Sequence, residues 1–405
     1  MKGLTFKLGT ALLTFMIGLG IATAWVLRVP PTGIQPVDIT ENLPDTAAAT
    51  ANSRALEMVF VLDTTGSMGG LLEGAKQRIW GIVNEVMQSS SKPAVRIGLV
   101  AYRDRGDAYV TQVLPLTNDL DKAYSTLMDY EAEGGGDEPE NVRRALADGV
   151  RRAGWSKGSS RVTQILFLVG DAPPHDDYGD EPNTVTTASE AVQKGMIVNT
   201  IQCGDTLRTR EVWQKIAQRG QGQYFSIAQD GGVQAIASPY DEQLGQLASK
   251  LGKTFLAYGG GAGSAGESHR AAAASGIAAM ERKVDTSAAP MAKAERALNK
   301  AINKDAYVDD LLQNIENGSV KLDSIKEEDL SSDLRGLAPE ARKREVEKRL
   351  VERRDVRAQI VSLSKQRDEF IAAERSKQNG GKRTGFDAAV AAALKEQLSR
   401  KPTSN

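Results

Sequence analysis

The stretch Val59–Met68, VFVLDTTGSM, indicates both the fold of this chain and the place of its functional site. An apolar run of strand-forming residues ends at Asp63, and the hydroxyl side chains of Thr65 and Ser67 follow at two-residue steps. A turn built only for geometry does not require an acid and two alcohols in this order. The pattern therefore predicts a buried strand with three hard oxygen donors at its end.

Outward from this stretch, short apolar runs alternate with amphipathic segments between residues 55 and 257. The predicted strands are 57–62, 95–102, 110–115, 162–169, 196–202 and 223–227. The predicted helices are 69–88, 120–131, 139–153, 184–194 and 210–219, with another near 231–252. This alternation predicts an α/β fold, a Rossmann-like doubly wound and mostly parallel sheet covered on both faces. The second and third strands are too close for a helical crossover, so they should form an antiparallel hairpin at one edge.

Length and composition describe an ordinary globular protein. The chain has 405 residues, 40% of them hydrophobic and 25% charged, with a formal net charge of -1. That balance gives no electrostatic reason to expect binding to nucleic acid or to an anionic membrane surface. At roughly 200 residues, the segment 55–257 should bury about 70% of its unfolded surface, so we expect a self-sufficient domain. Cys203 is the only cysteine, which excludes an internal disulfide.

The N-terminus, residues 1–28, reads as a signal anchor or a signal peptide. Lys2 and Lys7 precede an uncharged run from Leu8 to Leu27. At about 1.5 Å per residue this run spans roughly 30 Å, the hydrocarbon thickness of a bilayer, and it is longer than a usual signal-peptide core. Ala22–Ala24 has the small-residue form of a cleavage site, so removal stays open. Either alternative predicts a cell-envelope protein with most of the chain outside the cytosol, and an anchor would hold it to the membrane.

Two flexible segments and a helical tail complete the organisation. Residues 29–54 contain Pro30 and Pro31 without apolar periodicity and predict a linker, and the glycine-rich run 258–266 predicts a second one. Residues 267–405 predict an all-α region with a long amphipathic helix at 339–378. The apolar seam of that helix needs a partner, which could be another tail helix, the sheet domain or a second chain in a homo-oligomer. Its members are Val346, Leu350, Val356, Ile360, Leu363 and Phe370.

Acids from two further loops should join Asp63. Asp171 follows the predicted strand 162–169, and Asp137 lies in EGGGDEPENV before a predicted helix. Parallel strands deliver their C-terminal ends to one edge of a doubly wound sheet, where ligands bind. Carboxylates brought this close repel one another unless a cation compensates them. An all-oxygen donor set selects a hard divalent ion, Mg²⁺ first, with Mn²⁺ or Ca²⁺ as alternatives.

At this point the sequence resembles the von Willebrand factor type A family. DTTGSM fits the Asp-x-Ser/Thr-x-Ser/Thr signature of the metal-ion-dependent adhesion site, and all three metal loops occur in the expected order between about residues 55 and 257. The resemblance implies that Thr65 and Ser67 ligate the metal through their hydroxyls. It also implies that Asp63 and Asp171 act directly or through water. A carboxylate from a protein partner commonly completes the coordination in this family.

The second loop departs from the best-known members of the family, which commonly carry threonine where Asp137 stands here. Asp63 and Asp171 already neutralise a divalent ion, so Asp137 leaves roughly one net negative charge. At about 4 Å and an effective dielectric near 20, one like-charge contact costs around 4 kcal/mol before screening. The departure therefore favours metal binding and disfavours an acidic ligand from the partner.

Simpler interpretations exist for several of these residues. The DTTGS segment could merely cap a helix, and Asp137 could cap the helix that Pro139 opens. His175 could act as an acid or base, although a histidine in a proline-rich loop is usually structural. A solvated rim is expected for Arg103, Asp104, Arg105 and Asp107, with a contribution to partner recognition as the alternative. We expect Cys203 to be a buried small hydrophobe.

Three functions remain to be weighed. The leading one is a non-enzymatic envelope protein that binds a partner protein, of unknown identity, through the metal site. The second is a structural scaffold in which the metal only orders loops. The third is a phosphoester hydrolase with Asp63 as nucleophile, but Thr65 stands where such chemistry needs a second acid.

Overall fold

The computed structural model describes residues 54–89, 92–136, 138–157, 161–233, 235–303, 307–379 and 384–399. The predicted anchor or signal peptide, most of the linker 29–54, and Asp137 lie outside these ranges. Among the described residues, no helix combines the length and apolarity needed to cross a membrane.

One sheet of six strands organises the molecule, in the spatial order β3-β2-β1-β4-β5-β6. The strands are β1 Ala55–Asp63, β2 Ala94–Tyr102, β3 Thr111–Thr117, β4 Val162–Gly170, β5 Met196–Cys203 and β6 Gln221–Ile227. All neighbouring pairs are parallel except β2 and β3, which are antiparallel, with β3 at the edge. The predicted mostly parallel sheet with one antiparallel edge strand is confirmed.

Eleven α-helices occur in the described residues. Those of the sheet region are α1 Gly69–Met87, α2 Leu120–Met128, α3 Val142–Arg151, α4 Thr184–Gln193, α5 Leu207–Arg219 and α6 Asp241–Gly252. Those that follow are α7 Gly263–Ser287, α8 Pro290–Ile302, α9 Leu311–Glu316, α10 Pro339–Asn379 and α11 Phe386–Ser399. The predicted helical C-terminal region is confirmed. However, α7 begins inside the segment 258–266 that was predicted as a linker. Gly266 permits this because a side chain there would collide with the backbone of Gly261.

Side chains of alternate parity along β1 enter two separate apolar layers. Phe60 and its even-numbered neighbours pack with α1 and α2 on the first face of the sheet. Val59 and Val61 pack with α3, α4 and α5 on the second face, where Trp213 is fully buried. Burial on both faces explains why residues 58–62 of this strand form an unbroken apolar run instead of an alternating one.

The helix α6 does not cover the sheet but joins the C-terminal helices. Its buried leucines form one cluster with alanines of α8 and with Val356 and Ile360 of α10. Val346 and Leu350 of α10 enter a second cluster around Leu311. The apolar seam predicted for the long helix is therefore covered within the same chain.

The last helix, α11, completes the first face of the sheet. Phe386, Val390 and Leu394 are buried in the same apolar cluster as Phe60 and α1. The rings of Phe60 and Phe386 lie 6.0 Å apart between centroids. We expected residues 55–257 to form a self-sufficient domain, whereas a helix from outside that range supplies part of its core.

Candidate metal centre

The candidate site lies where β1 and β4 end side by side. Asp63 is the last residue of β1, and Asp171 directly follows β4. The two strands are in parallel register, with Leu62 opposite Val169. In the strand order found here, the chain runs outward in opposite directions on the two sides of β1, so this edge is the topological switch point where ligands bind in such folds.

The turn after β1 uses only one oxygen of the Asp63 carboxylate. Thr65 donates two hydrogen bonds to Asp63 Oδ1, from its backbone N at 2.9 Å and from its hydroxyl at 2.7 Å. The Ser67 hydroxyl lies 3.4 Å from that of Thr65. Because the Thr65 proton is directed to Asp63, the lone pairs of the Thr65 hydroxyl remain available to a ligand.

The second oxygen of Asp63 is unusual because it is buried and accepts no hydrogen bond from the described residues. The nearby Tyr102 hydroxyl donates to the Val169 carbonyl at 3.4 Å, and its interaction with Asp63 is only the smallest of the effects on the pKa of that carboxyl. Burial, followed by the negative charge of Asp171, raises the pKa of Asp63 to about 7. A buried carboxylate oxygen without a partner is costly, and a cation would supply the missing partner.

Asp171 is held from two sides. Gln229 donates from Nε2 to Asp171 Oδ2 at 2.6 Å, and the Thr209 hydroxyl donates to the Asp171 backbone carbonyl at 3.0 Å. Gln229 follows β6 and was not predicted as part of the site. No local pattern in the sequence marks it, because its partner is 58 residues away.

Direct backbone hydrogen bonds tie the glycine-rich loop of the sequence EGGGDEPENV, which begins at Glu133, to the turn after β1. Gly66 N donates to the Gly134 carbonyl, and Glu133 N donates to the Thr64 carbonyl, both at 3.1 Å. Asp137 of this loop lies outside the described residues, so its predicted role as a ligand stays a prediction. The helix after the loop begins at Val142 instead of the predicted Pro139, because the Asn141 side chain caps it by accepting a hydrogen bond from Arg144 N at 3.1 Å.

Glu140 is a further acid that the sequence did not single out. Its side chain is 3% exposed, and Oε2 accepts no hydrogen bond from the described residues. Burial, together with the charges of Asp63 and Asp104, raises the pKa of Glu140 to about 9. Its position one residue before the N-cap of α3 is the only sequence signal that could have indicated it.

A pocket of about 250 Å³ opens beside these groups, and Asp63 lies buried behind its lining. The lining consists of Thr65, Gly66, Ser67, Gly134, Gly135, Glu138, Glu140, Asp171, Ala172, Thr206 and Gln229. It includes three carboxylates and, among the described residues, no basic side chain. The pocket is therefore suited to a cation and unsuited to a free anion.

The donor set fits a hard divalent ion, although it is not rich in acids. Across the described residues, no three His, Cys, Asp or Glu side chains assemble into a metal-binding group. The oxygens at hand are the carboxylates of Asp63 and Asp171 and the neutral hydroxyls of Thr65 and Ser67. A mixed set of carboxylates, hydroxyls and water is the ordinary environment of Mg²⁺ in proteins.

Two other residues that the sequence singles out, His175 and Arg103, make contacts that support the fold. His175 lies 2.9 Å from Asp177 and 3.2 Å from Asp104, stacks on Tyr178, and does not line the pocket. The predicted solvated rim is wrong for Arg103, which is buried and donates to the backbone carbonyls of Thr64 and Glu131.

Asp104 and Cys203 are both buried. Asp104 is also buried, at 6% exposure, and accepts a hydrogen bond from the Tyr178 hydroxyl at 2.8 Å, so the predicted solvated rim is wrong there as well. Cys203 is buried at 1% exposure, as predicted, and burial raises the pKa of its thiol.

Comparison with known proteins bears on the segment that carries this site. Residues 57–239 match the family model described as von Willebrand factor A domain. This part of the chain is therefore similar to von Willebrand factor A domains. Domains of this family generally act as protein-interaction modules and not as enzymes.

Individual relatives match the same part of the chain. The von Willebrand factor A domain-containing protein 7 of Rattus norvegicus is 40% identical over 124 residues, 31% of this chain and 13% of that protein. A putative ariadne-like RING finger protein of Acanthamoeba polyphaga mimivirus is 26% identical over 164 residues, 40% of this chain and 15% of that protein. The chain thus spans only a small part of these relatives.

A solved structure is also similar to part of the chain. It is an aerotolerance-related membrane protein from Bacteroides fragilis, with a TM-score of 0.29 and 21% identity. The match covers 44% of this chain and 92% of that one.

Proposed function

We propose that this protein binds a partner protein through a divalent cation held in the von Willebrand factor A domain. The cation, Mg²⁺ first among the candidates, would take oxygens from Asp63, Thr65, Ser67 and Asp171, with Asp137 as a further ligand. The observation that carries the proposal is the buried, unpartnered Oδ2 of Asp63 at the sheet's switch point. Bound there, the ion supplies positive charge and a coordination position for an oxygen of the partner.

The residues of the chain prepare this site before any ion arrives. Thr65 fixes one oxygen of Asp63 and keeps its own lone pairs available, while Gln229 fixes one oxygen of Asp171. Glu138 adds a further carboxyl group to the pocket wall, and Glu140 adds one whose pKa of about 9 keeps it protonated at neutral pH in the metal-free protein. An acidic ligand from the partner would meet these carboxylates, so we expect the partner to offer a neutral oxygen or to place a base beside it.

A purely structural metal is the weaker alternative, because the loops around the pocket are already joined. Direct hydrogen bonds connect Gly66 to Gly134 and Glu133 to Thr64, and Arg103 bridges the carbonyls of Thr64 and Glu131. Loops held in this way do not need an ion to order them. Binding of the partner protein is therefore the role that we propose for the ion.

The membrane placement belongs to the same proposal. With Leu8–Leu27 as an uncleaved anchor, the domain would face the outside of the cytosol. Reporter fusions after Asn52 test this topology: a reporter active only outside the cytosol supports it, and one active in the cytosol overturns it.

Capture from solubilised envelope of the source cells tests the binding function. The full chain is immobilised with Mg²⁺, washed, and eluted with a chelator, in parallel with Asp63→Asn and with Asp129→Asn as a matched exposed control. We expect a defined partner that is released by the chelator, retained by the control variant and missing from Asp63→Asn. Equal capture by all three proteins, with or without Mg²⁺, would contradict the proposal.

A further inference from the structure

A cavity of about 450 Å³ lies between α2 and α7 and shares no lining residue with the pocket at the metal centre. It is bounded by the start of α2, by one face of α7, and by Phe255 and residues 307–309. A Cβ added at Gly276 of α7 would meet no atom within 4 Å, so the missing side chain leaves this space open. The volume is that of an ordinary small-molecule site, about 300–1,000 Å³.

The wall of this outer cavity is largely apolar. Alanines of α7 and Gly276 give it a smooth side, and Phe255 and Ile277 add larger apolar surfaces. The charged side chains of its described lining are three acids and two lysines, and one of the acids, Asp121, is already paired with Arg296 at 2.6 Å. The wall therefore suits a ligand with an apolar body, and the charges around it select neither sign strongly.

A second, inner cavity of about 10 Å³ adjoins the first. The two cavities share the side chains of Phe255, Ile277 and Tyr307. The inner one has room for about one water-sized atom, such as a single oxygen. Its lining includes the basic side chains of Lys300 from α8 and of Arg353 and Arg357 from α10. This end of the space is therefore rich in hydrogen-bond donors.

Arg353 keeps an unused donor at the inner cavity. Its side chain is 3% exposed, Nε donates to the Thr254 hydroxyl at 2.9 Å, and Nη2 pairs with Asp310. The remaining nitrogen, Nη1, is buried and donates to no described residue, as is also true of Arg357 Nε. Burial, followed by the charge of Arg296, lowers the pKa of Lys300 to about 8. Buried donors without an acceptor are costly, so the group that this end lacks is an acceptor oxygen.

We propose that the two cavities bind a carboxylic acid with a single apolar chain. One carboxylate oxygen would accept from Arg353 Nη1 in the inner cavity, and the chain would lie along α7 in the outer one. Arginine forms strong, charge-assisted hydrogen bonds with carboxylates. The inner cavity admits about one oxygen, which disfavours the bulkier phosphate group. This site is separate from the metal centre and does not depend on the proposed function.

Three probes with the same chain test the choice of head group. Octanoate, octylamine and octyl phosphate are titrated calorimetrically into the full chain, below their micelle concentrations. We expect octanoate to saturate at one molecule per chain and to bind about tenfold or more tightly than either of the others, because only its head group matches the unused donor in charge and size.

A leucine placed in the outer cavity tests the location of the chain. Gly276→Leu fills the open space beside α7, whereas Ala278→Leu puts the same side chain on an exposed position of the same helix, outside the lining. We expect Gly276→Leu to lower the octanoate affinity about tenfold or more, because the added side chain occupies the volume of the ligand. Ala278→Leu should bind octanoate as the wild type does.

Arg353→Lys tests the head-group contact. Lysine keeps a positive charge beside Asp310 but lacks the planar fork that carries Nη1. We expect the octanoate affinity to fall about tenfold while the weak binding of octylamine stays unchanged. If this variant does not fold, the head-group series and the two leucine variants still decide the question.

Three results would overturn the proposal. Octanoate that fails to saturate would show that water alone satisfies Arg353. Equal affinities for the three probes would show an apolar cavity without a carboxylate site. Equal losses in Gly276→Leu and Ala278→Leu would place the bound chain elsewhere. None of these results bears on the metal centre, because none of its residues takes part.

Discussion

The free-energy cost of the metal-free site falls mainly on the side chain of Asp63. It is fully buried, one oxygen is bonded to Thr65, and the other accepts no hydrogen bond from the described residues. In the metal-free protein, the Asp63 carboxyl therefore lies near the negative charge of Asp171, and no cation compensates the two. Sites that trade stability for binding commonly have this form.

At this scale, Asp63→Asn should stabilise the metal-free protein while it removes cation binding. The amide oxygen can still accept both hydrogen bonds from Thr65, and the uncompensated charge is gone. We expect unfolding in chelator at pH 8 to require about 1 kcal/mol more than for the wild type, measured by denaturant titration. A clear loss of stability would show that Asp63 has a structural role instead.

Single residues also show where prediction from the sequence ends. The position of Asp63, Thr65, Ser67 and Asp171 at one edge of the sheet could be predicted, because each lies at or just after the end of a strand, where hydrophobic periodicity stops. Glu140 and Gln229 carry no such local mark. Their place in the site depends on which loops meet in space, and the sequence alone does not encode that in any short pattern.

Among the elements, α1 is the helix that contacts both the sheet and the C-terminal helices. It starts at the proposed metal site and runs under α8 and α11. Arg78, in the middle of α1, donates to Glu295 of α8 at 2.9 Å and to Asp387 of α11 at 3.1 Å. Glu295 is shared with Arg367 of α10 at 3.1 Å, so one buried junction joins four helices.

This junction predicts that a single substitution of Arg78 strongly lowers the stability of the protein. Arg78→Gln removes the positive partner of Asp387 and leaves Glu295 with Arg367 alone, and both carboxylates are about nine-tenths buried. We expect a loss of about 3 kcal/mol in the free energy of unfolding, because breaking a buried ion pair leaves an uncompensated charge. Arg344→Gln, on the exposed face of α10, should change stability by less than about 0.5 kcal/mol. Equal effects in a urea titration would refute the assignment.

Element boundaries were predicted best where one physical signal dominated. The strands β1, β4 and β5 are mostly apolar and almost wholly buried, and their predicted limits differ from the observed ones by at most two residues. The helix after the glycine-rich loop was misplaced because Pro139 looked like a first helical residue, whereas Asn141 caps the helix. The role of α11 could not be foreseen, since its contact with Asn199 spans 198 residues of sequence.

At the scale of the molecule, the sheet region and the C-terminal helices of the described residues share their apolar cores. Apolar clusters cross from the sheet to α11, and from α6 to α8 and α10. A fragment of residues 54–257 would expose the side chains that these helices cover. We therefore expect it to unfold without a sharp transition and to bind an apolar dye, whereas residues 54–405 should melt cooperatively. A cooperative, dye-free fragment would show that the helices are accessory.

The central claim is that the edge formed by β1 and β4 holds a divalent cation. Anomalous diffraction from crystals grown with Mn²⁺ tests it most directly, because the metal is located without reference to any partner or activity. The account predicts one anomalous peak within coordination distance, about 2.0–2.5 Å, of oxygens from the turn Asp63–Ser67. Strong Mn²⁺ peaks elsewhere, with none at this turn in well-ordered crystals, would contradict it.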